Sequence, residues 1–150
     1  MKKTFKKALA LAFIPLLLLT ACSQPQTTTT TSTSSTTSTQ TATPASMMAA
    51  IKDLGLPISN QQALDENALA KLASQVGGDL TSAATFTNDT GIKFMILIAK
   101  SSADATAVRS YYAGQNWHVT SDPSRRIVFA AERTLKQSWF DKYKVPVLRS

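Results

Sequence analysis

The chain has 150 residues, room for one domain with tails, and carries sixteen basic residues against nine acidic ones, a formal charge of +7. Four of the basic residues, Lys2, Lys3, Lys6 and Lys7, lie in the first seven positions. Without them twelve basic residues face nine acidic ones, a balance of +3, which is an ordinary soluble surface and removes the main argument for nucleic acid. A single cysteine, Cys22, excludes an intramolecular disulfide, and a single histidine, His118, excludes a site built on paired imidazoles.

The four lysines precede an apolar run from Ala8 to Leu19, broken only by Pro15, and then Leu19-Thr20-Ala21-Cys22. A basic start, a short apolar stretch and small residues before a cut are the parts of a secretory signal peptide over residues 1–21. About a dozen apolar residues fall short of the roughly 18 a spanning helix needs. Residues 19–22 resemble the bacterial lipobox. That resemblance covers residues 1–22 and implies a lipoprotein: a diacylglycerol on the Cys22 thiol, cleavage before Cys22, and an N-acyl chain on the new terminus. Two or three acyl chains hold a protein firmly at a membrane. Ser23, next after the cysteine, implies an outer-membrane destination in a two-membrane bacterium, and otherwise the outer face of the cytoplasmic membrane.

From Ser23 to Ser46 the composition collapses: seventeen of twenty-four residues are Ser or Thr and none is charged. Such a stretch cannot bury enough apolar surface to offset its ordering entropy, so residues 22–46 are expected to be a lipidated cysteine on a disordered tether. As a flexible coil it spans about 25–30 Å on average.

Residues 47–150 are expected to form one small α+β domain. Ser46 caps a short helix, Met47 to Leu54, ending at Gly55 before Pro57. Ser59 with Gln62 reads as a capping box for a second helix running to about Val76, with Leu64, Ala68, Leu72 and Val76 as its stripe and Gly77-Gly78 as its stop. Leu80 to Thr87 reads as a strand, Asn88-Asp89-Thr90-Gly91 as a turn, and Ile92 to Ala99 as a strand apolar enough to be covered on both faces. Ser101 or Ser102 caps a third helix through Tyr112, closed by Gly114. Trp117 to Thr120 and Arg126 to Ala131 form a second hairpin around Ser121 to Ser124. Thr134 with Gln137 opens a last helix to about Tyr143, with Leu135, Trp139 and Tyr143 on one face, and Pro146 stops it. The order α-α-β-β-α-β-β-α predicts a mainly antiparallel four-stranded sheet from two hairpins with helices packed on it. The segment Tyr111-Tyr112 to Trp117 is similar to small domains of assorted bacterial lipoproteins, which implies no activity.

No stretch carries a recognisable catalytic pattern. His118 would need a nucleophile and an orienting acid from distant parts of the chain. Gly77-Gly78 follows a helix and makes no phosphate loop, Asp65-Glu66 suits a helix start, and no metal-ligand spacing occurs. Two groups suit contact with a partner. Arg125-Arg126 stands at a hairpin tip, where it can meet an anion or gate a hydrophobic strand. Trp139, Phe140 and Tyr143 bunch with Lys136, Lys142, Lys144 and Arg149, and aromatic residues with cations carry much of the energy of interfaces. The expectation is a non-enzymatic, lipid-anchored envelope lipoprotein with no cofactor or metal, held to the membrane and presenting a binding or assembly domain to an envelope protein or the cell wall. A small hydrolase acting near the membrane, or an inhibitor or adaptor of an external enzyme, are the alternatives.

Overall fold

The computed structural model describes residues 42–150; the expected signal peptide, Cys22 and the Ser/Thr tract to residue 41 lie outside the described residues. The first helix, α1 (Pro44–Asp53), begins three residues earlier than its sequence predicts. Thr43, not Ser46, is its N-cap. The Thr43 hydroxyl accepts from the Ser46 amide at 3.2 Å, and the Ser46 hydroxyl accepts from the Thr43 amide at 3.1 Å. Pro44 at the first helical position is preorganised for the turn. The last residues of the expected tether are therefore folded.

The expected second helix divides in two. Ser59–Ala63 is a strand, β1, and the helix α2 (Glu66–Val76) starts only after Asp65, whose carboxylate accepts from the Ala68 amide at 2.8 Å. The Ser59/Gln62 capping box does not form, because backbone pairing with the next strand claims those residues. Gly77, in the left-handed region at φ 70°, ends α2 as predicted.

The remaining elements follow the predicted order: β2 (Leu80–Thr87), β3 (Lys93–Ala99), α3 (Ser102–Gly114, capped by Ser101), β4 (His118–Asp122), β5 (Ile127–Ala131) and α4 (Gln137–Arg149). Gly114 lies inside α3, and Asn116 rather than a glycine takes the positive φ beyond it. α4 differs from expectation at both ends. Its N-cap is Lys136, which makes no side-chain cap, so the Thr134/Gln137 box is absent. Pro146 lies within the helix rather than ending it. Pro146 and Val147 are buried, and the Arg125 guanidinium donates to the Leu148 carbonyl, so tertiary contacts hold the turn that a proline alone would weaken.

The fold is α+β with a five-stranded sheet rather than a four-stranded one, in the order β1-β2-β3-β5-β4 and antiparallel throughout. Side chains alternate across the central strands into two cores. Phe94, Ile96 and Ile98 of β3 join Phe86, Ile127 and Phe129 under α1 and α4. Met95, Leu97 and Ala99 join Val128 and Ala130 under α2 and α3. Both faces are covered, which is why β3 and β5 read as unbroken apolar runs instead of alternating ones. In the first core a line of rings crosses the sheet. Phe86 stacks on Phe94 at 4.7 Å, Phe94 meets Phe129 at 5.9 Å, and Phe140 of α4 stacks on Phe129 at 5.3 Å.

Candidate functional site

At the end of the sheet where β2 turns into β3, the chain makes a rigid corner. The Asn88 side-chain oxygen accepts three hydrogen bonds, from the Thr90 amide at 3.1 Å, the Thr90 hydroxyl at 2.9 Å and the Ile92 amide at 2.9 Å. Gly91, at φ 79°, closes the turn in a conformation that costs a side-chain-bearing residue steric energy.

Facing this corner is the loop from β5 into α4. It is fixed by the Glu132 amide donating to the Lys93 carbonyl at 3.1 Å and the Leu135 amide donating to Glu132 at 3.1 Å. A third wall is the segment after α1, pinned where the Tyr143 hydroxyl donates to the Pro57 carbonyl at 2.7 Å.

These walls enclose a hollow of about 300 Å³, at the small end of the range for ligand pockets. Asn88, Asp89 and Thr90 line one side and Thr134 and Lys136 the other, while Pro57, Ile92, Leu135, Trp139 and Tyr143 supply apolar surface. Trp139 is 40 % exposed, with the Lys142 ammonium 4.3 Å from its ring centre. Among the described residues the ion pairs are Lys100–Asp79 and Lys144–Asp141, so Asp89 and Lys136 enter none. Burial, with a smaller contribution from the Asp89 charge, pushes the Tyr143 phenol up to about 12, so it stays a neutral donor to Pro57.

The structure separates the residues the sequence groups together. Phe140 and Tyr143 belong to the core, 3 % and 1 % exposed, and of the three aromatics only Trp139 reaches the surface. The reason is helical phase: the core line of rings needs positions three apart on α4, which turns Phe140 inward with Tyr143 and leaves Trp139 outside. Arg125 is half-buried and bonded to the end of α4. Arg126 is exposed at φ 62°, with its guanidinium 3.3 Å from the Lys100 carbonyl. Both arginines stand at the β4–β5 turn, and neither lines the hollow.

His118 is buried and fully engaged. Its Nε2 lies 2.7 Å from the Leu135 carbonyl and its Nδ1 3.3 Å from the Arg133 guanidinium, an arrangement that fits a neutral ring donating from Nε2 and accepting at Nδ1. The ring stacks on Phe140 at 5.3 Å. Cys22 lies outside the described residues. Among the described residues no three His, Cys, Asp or Glu side chains are grouped to hold a metal ion, and no helix is long and apolar enough to cross a membrane.

The polar residues of the hollow, Asp89, Thr90, Thr134 and Lys136, carry no motif. The sequence signals were the bunching of Lys136 with Trp139 and Tyr143 and the Asn-Asp-Thr-Gly turn, which marks a rigid loop without saying what packs opposite it. Comparison with protein-family models, with curated proteins and with solved structures finds no match for this chain.

Proposed function

We propose that the chain is a lipid-anchored envelope protein whose small α+β domain binds a partner without performing a reaction. The observation that carries this reading is Leu19-Thr20-Ala21-Cys22, following a basic start and a short apolar run and preceding an uncharged Ser/Thr tract. The thiol takes the lipid, and the tract is the tether.

Two structural features support a binding role. The hollow sets polar and apolar groups side by side, with Trp139, 40 % exposed, on its lining. The chain's one imidazole is held between Leu135 and Arg133 inside the core, where it orders the loop before α4 and is not placed as a free base.

The test is fatty-acid labelling of the full chain in a bacterial host, followed by fractionation. Label on the wild-type protein that disappears in Cys22→Ser, together with release from the membrane fraction, is the expected result. Equal labelling and equal membrane association of the variant would overturn the anchor. Crosslinking in the native envelope then addresses the binding role; turnover of a wall or lipid substrate by the purified chain with no crosslinked partner would sink it in favour of a hydrolase.

A further inference from the structure

We infer that the hollow between the β2–β3 turn and α4 is a carbohydrate subsite, with one sugar ring laid against Trp139 and its hydroxyls bonded to the polar walls. This rests on the reading of the domain as a binding module and names the ligand class of that site.

The argument starts from the tryptophan. Lys142 stands over the Trp139 ring at 4.3 Å, and the residue is anchored on the first turn of α4 beside buried Phe140. Its indole lines the hollow as a flat surface, with the Lys142 ammonium on one face and the other face left for a ligand. A pyranose ring offers a complementary shape: a face of C–H groups that packs on an aromatic plane, and a rim of hydroxyls that both donate and accept.

The walls supply both kinds of partner. Asp89 is an acceptor, Lys136 a donor, and the Thr134 hydroxyl serves as either. None of the three makes a side-chain hydrogen bond or ion pair among the described residues. The turn that carries Asp89 is held by the three bonds to Asn88, so its groups are preorganised and lose little freedom on binding.

Other ligand classes fit less well. An oily molecule would strip water from Asp89, Thr134 and Lys136 without replacing it. A phosphate or carboxylate that used Lys136 would share the hollow with the Asp89 carboxylate. A volume of about 300 Å³ takes a single ring and its substituents at the end of a glycan better than an extended polymer.

The experiment uses the isotope-labelled full chain in detergent and follows the indole N–H resonances of its two tryptophans. Trp117 packs against Tyr112 in the other core, on the opposite side of the sheet, and serves as the internal reference. The probes are chitotriose and maltotriose, with alanyl-alanine and inorganic phosphate as the competing chemistries. Saturable movement of the Trp139 resonance with either sugar and a stationary Trp117 is expected. Trp139→Ala should weaken binding at least tenfold and Asp89→Asn several-fold, with Trp139→Phe between wild type and Trp139→Ala. Sugar binding that is unchanged in Trp139→Ala, no response to either sugar, or a response to the dipeptide or phosphate in their place overturns the proposal. Because Cys22 acylation is measured separately, a chain that is acylated but indifferent to sugars refutes the ligand class and leaves the anchored binding domain standing.

Discussion

Gly78, which packs on α3 from the connection after α2, and Gly114, the last residue of α3, should respond to the same substitution with opposite signs. Gly78 approaches α3 so closely that an added Cβ would stand 2.9 Å from the Asp104 carbonyl oxygen, 3.3 Å from the Asp104 Cα and 3.2 Å from a Val108 methyl. Ordinary contact begins at 3.4 Å, so α3 would have to retreat by about half an ångström against backbone atoms that have no rotamer to change. The retreat also strains the bond from the Asp79 amide to the Asp104 carboxylate, now 3.1 Å. Gly78 has no positive φ, so the cost is steric rather than conformational. Overpacking of this kind costs about 1–3 kcal/mol, which for a domain of this size lowers Tm by roughly 4–12 °C. Gly114, inside the last turn of α3, has open space where its Cβ would go and a helical backbone. There alanine should stabilise by about 0.5–1 kcal/mol, raising Tm by a few degrees, because it removes freedom from the unfolded chain. Thermal unfolding of the two variants by circular dichroism is the assay. A Gly78→Ala protein melting within a degree of wild type would show that the Gly78 backbone and α3 are not in the close contact described; a Gly114→Ala protein as damaged as Gly78→Ala would show that glycine itself, not the clash, is what these positions require.

Three further outcomes follow from the same geometry. Tyr112 and Tyr143 are both pushed by burial from 10.0 to about 12, so between those values the unfolded chain releases protons that the folded chain keeps. The contribution of these two phenols should be whole below pH 10 and be lost as pH rises through 12, and Tyr143→Phe or Tyr112→Phe should each remove part of that fall in denaturant titrations and one late phenolate transition in the ultraviolet. His118→Ala leaves the Leu135 carbonyl without its donor and opens space beside Phe140; a loss of about 2–4 kcal/mol is expected, and a loss under half that would mean that the ring is not held as described. Thr43→Ala deletes the cap of α1 and should cost about 1 kcal/mol, read as a lower melting temperature of the domain.

How much of the fold the sequence disclosed depends on where each element gets its stability. β2, β3 and α3 were legible because their own side chains specify them: β3 is apolar on both faces, Ser101 caps α3, and a turn with three bonds to one asparagine separates β2 from β3. β1 was not legible. Its residues, Ser59-Asn60-Gln61-Gln62-Ala63, are all exposed, so no period-2 pattern marks them, and its strand identity comes from pairing with β2, some twenty-five residues away in sequence. A polar edge strand with Asn60 in the left-handed region and an irregular register is also a poor template for a further strand, which is consistent with leaving it open to water. α4 outruns its local signals for a related reason: local rules stop a helix at Pro146, but burial of Pro146 and Val147 and the Arg125 bond outweigh the missing amide.

The site was hidden by the same division. Trp139, Phe140 and Tyr143 look like one patch in sequence, and on α4 two of them must face the sheet to complete the line of rings from Phe86 to Phe140. That requirement is what leaves Trp139 at the rim, alone and oriented. The residues opposite it come from a turn whose local job is only to reverse the chain between β2 and β3. The hollow exists because the sheet order places the β2–β3 turn beside the exit of β5, a relation between residues 88–92 and 132–136 that no local pattern encodes. If the binding reading holds, its specificity rests on this junction. Substitutions at Asp89 or Lys136, both exposed and without a fold partner among the described residues, should then change ligand affinity while leaving the melting temperature of the domain within a degree or two of wild type.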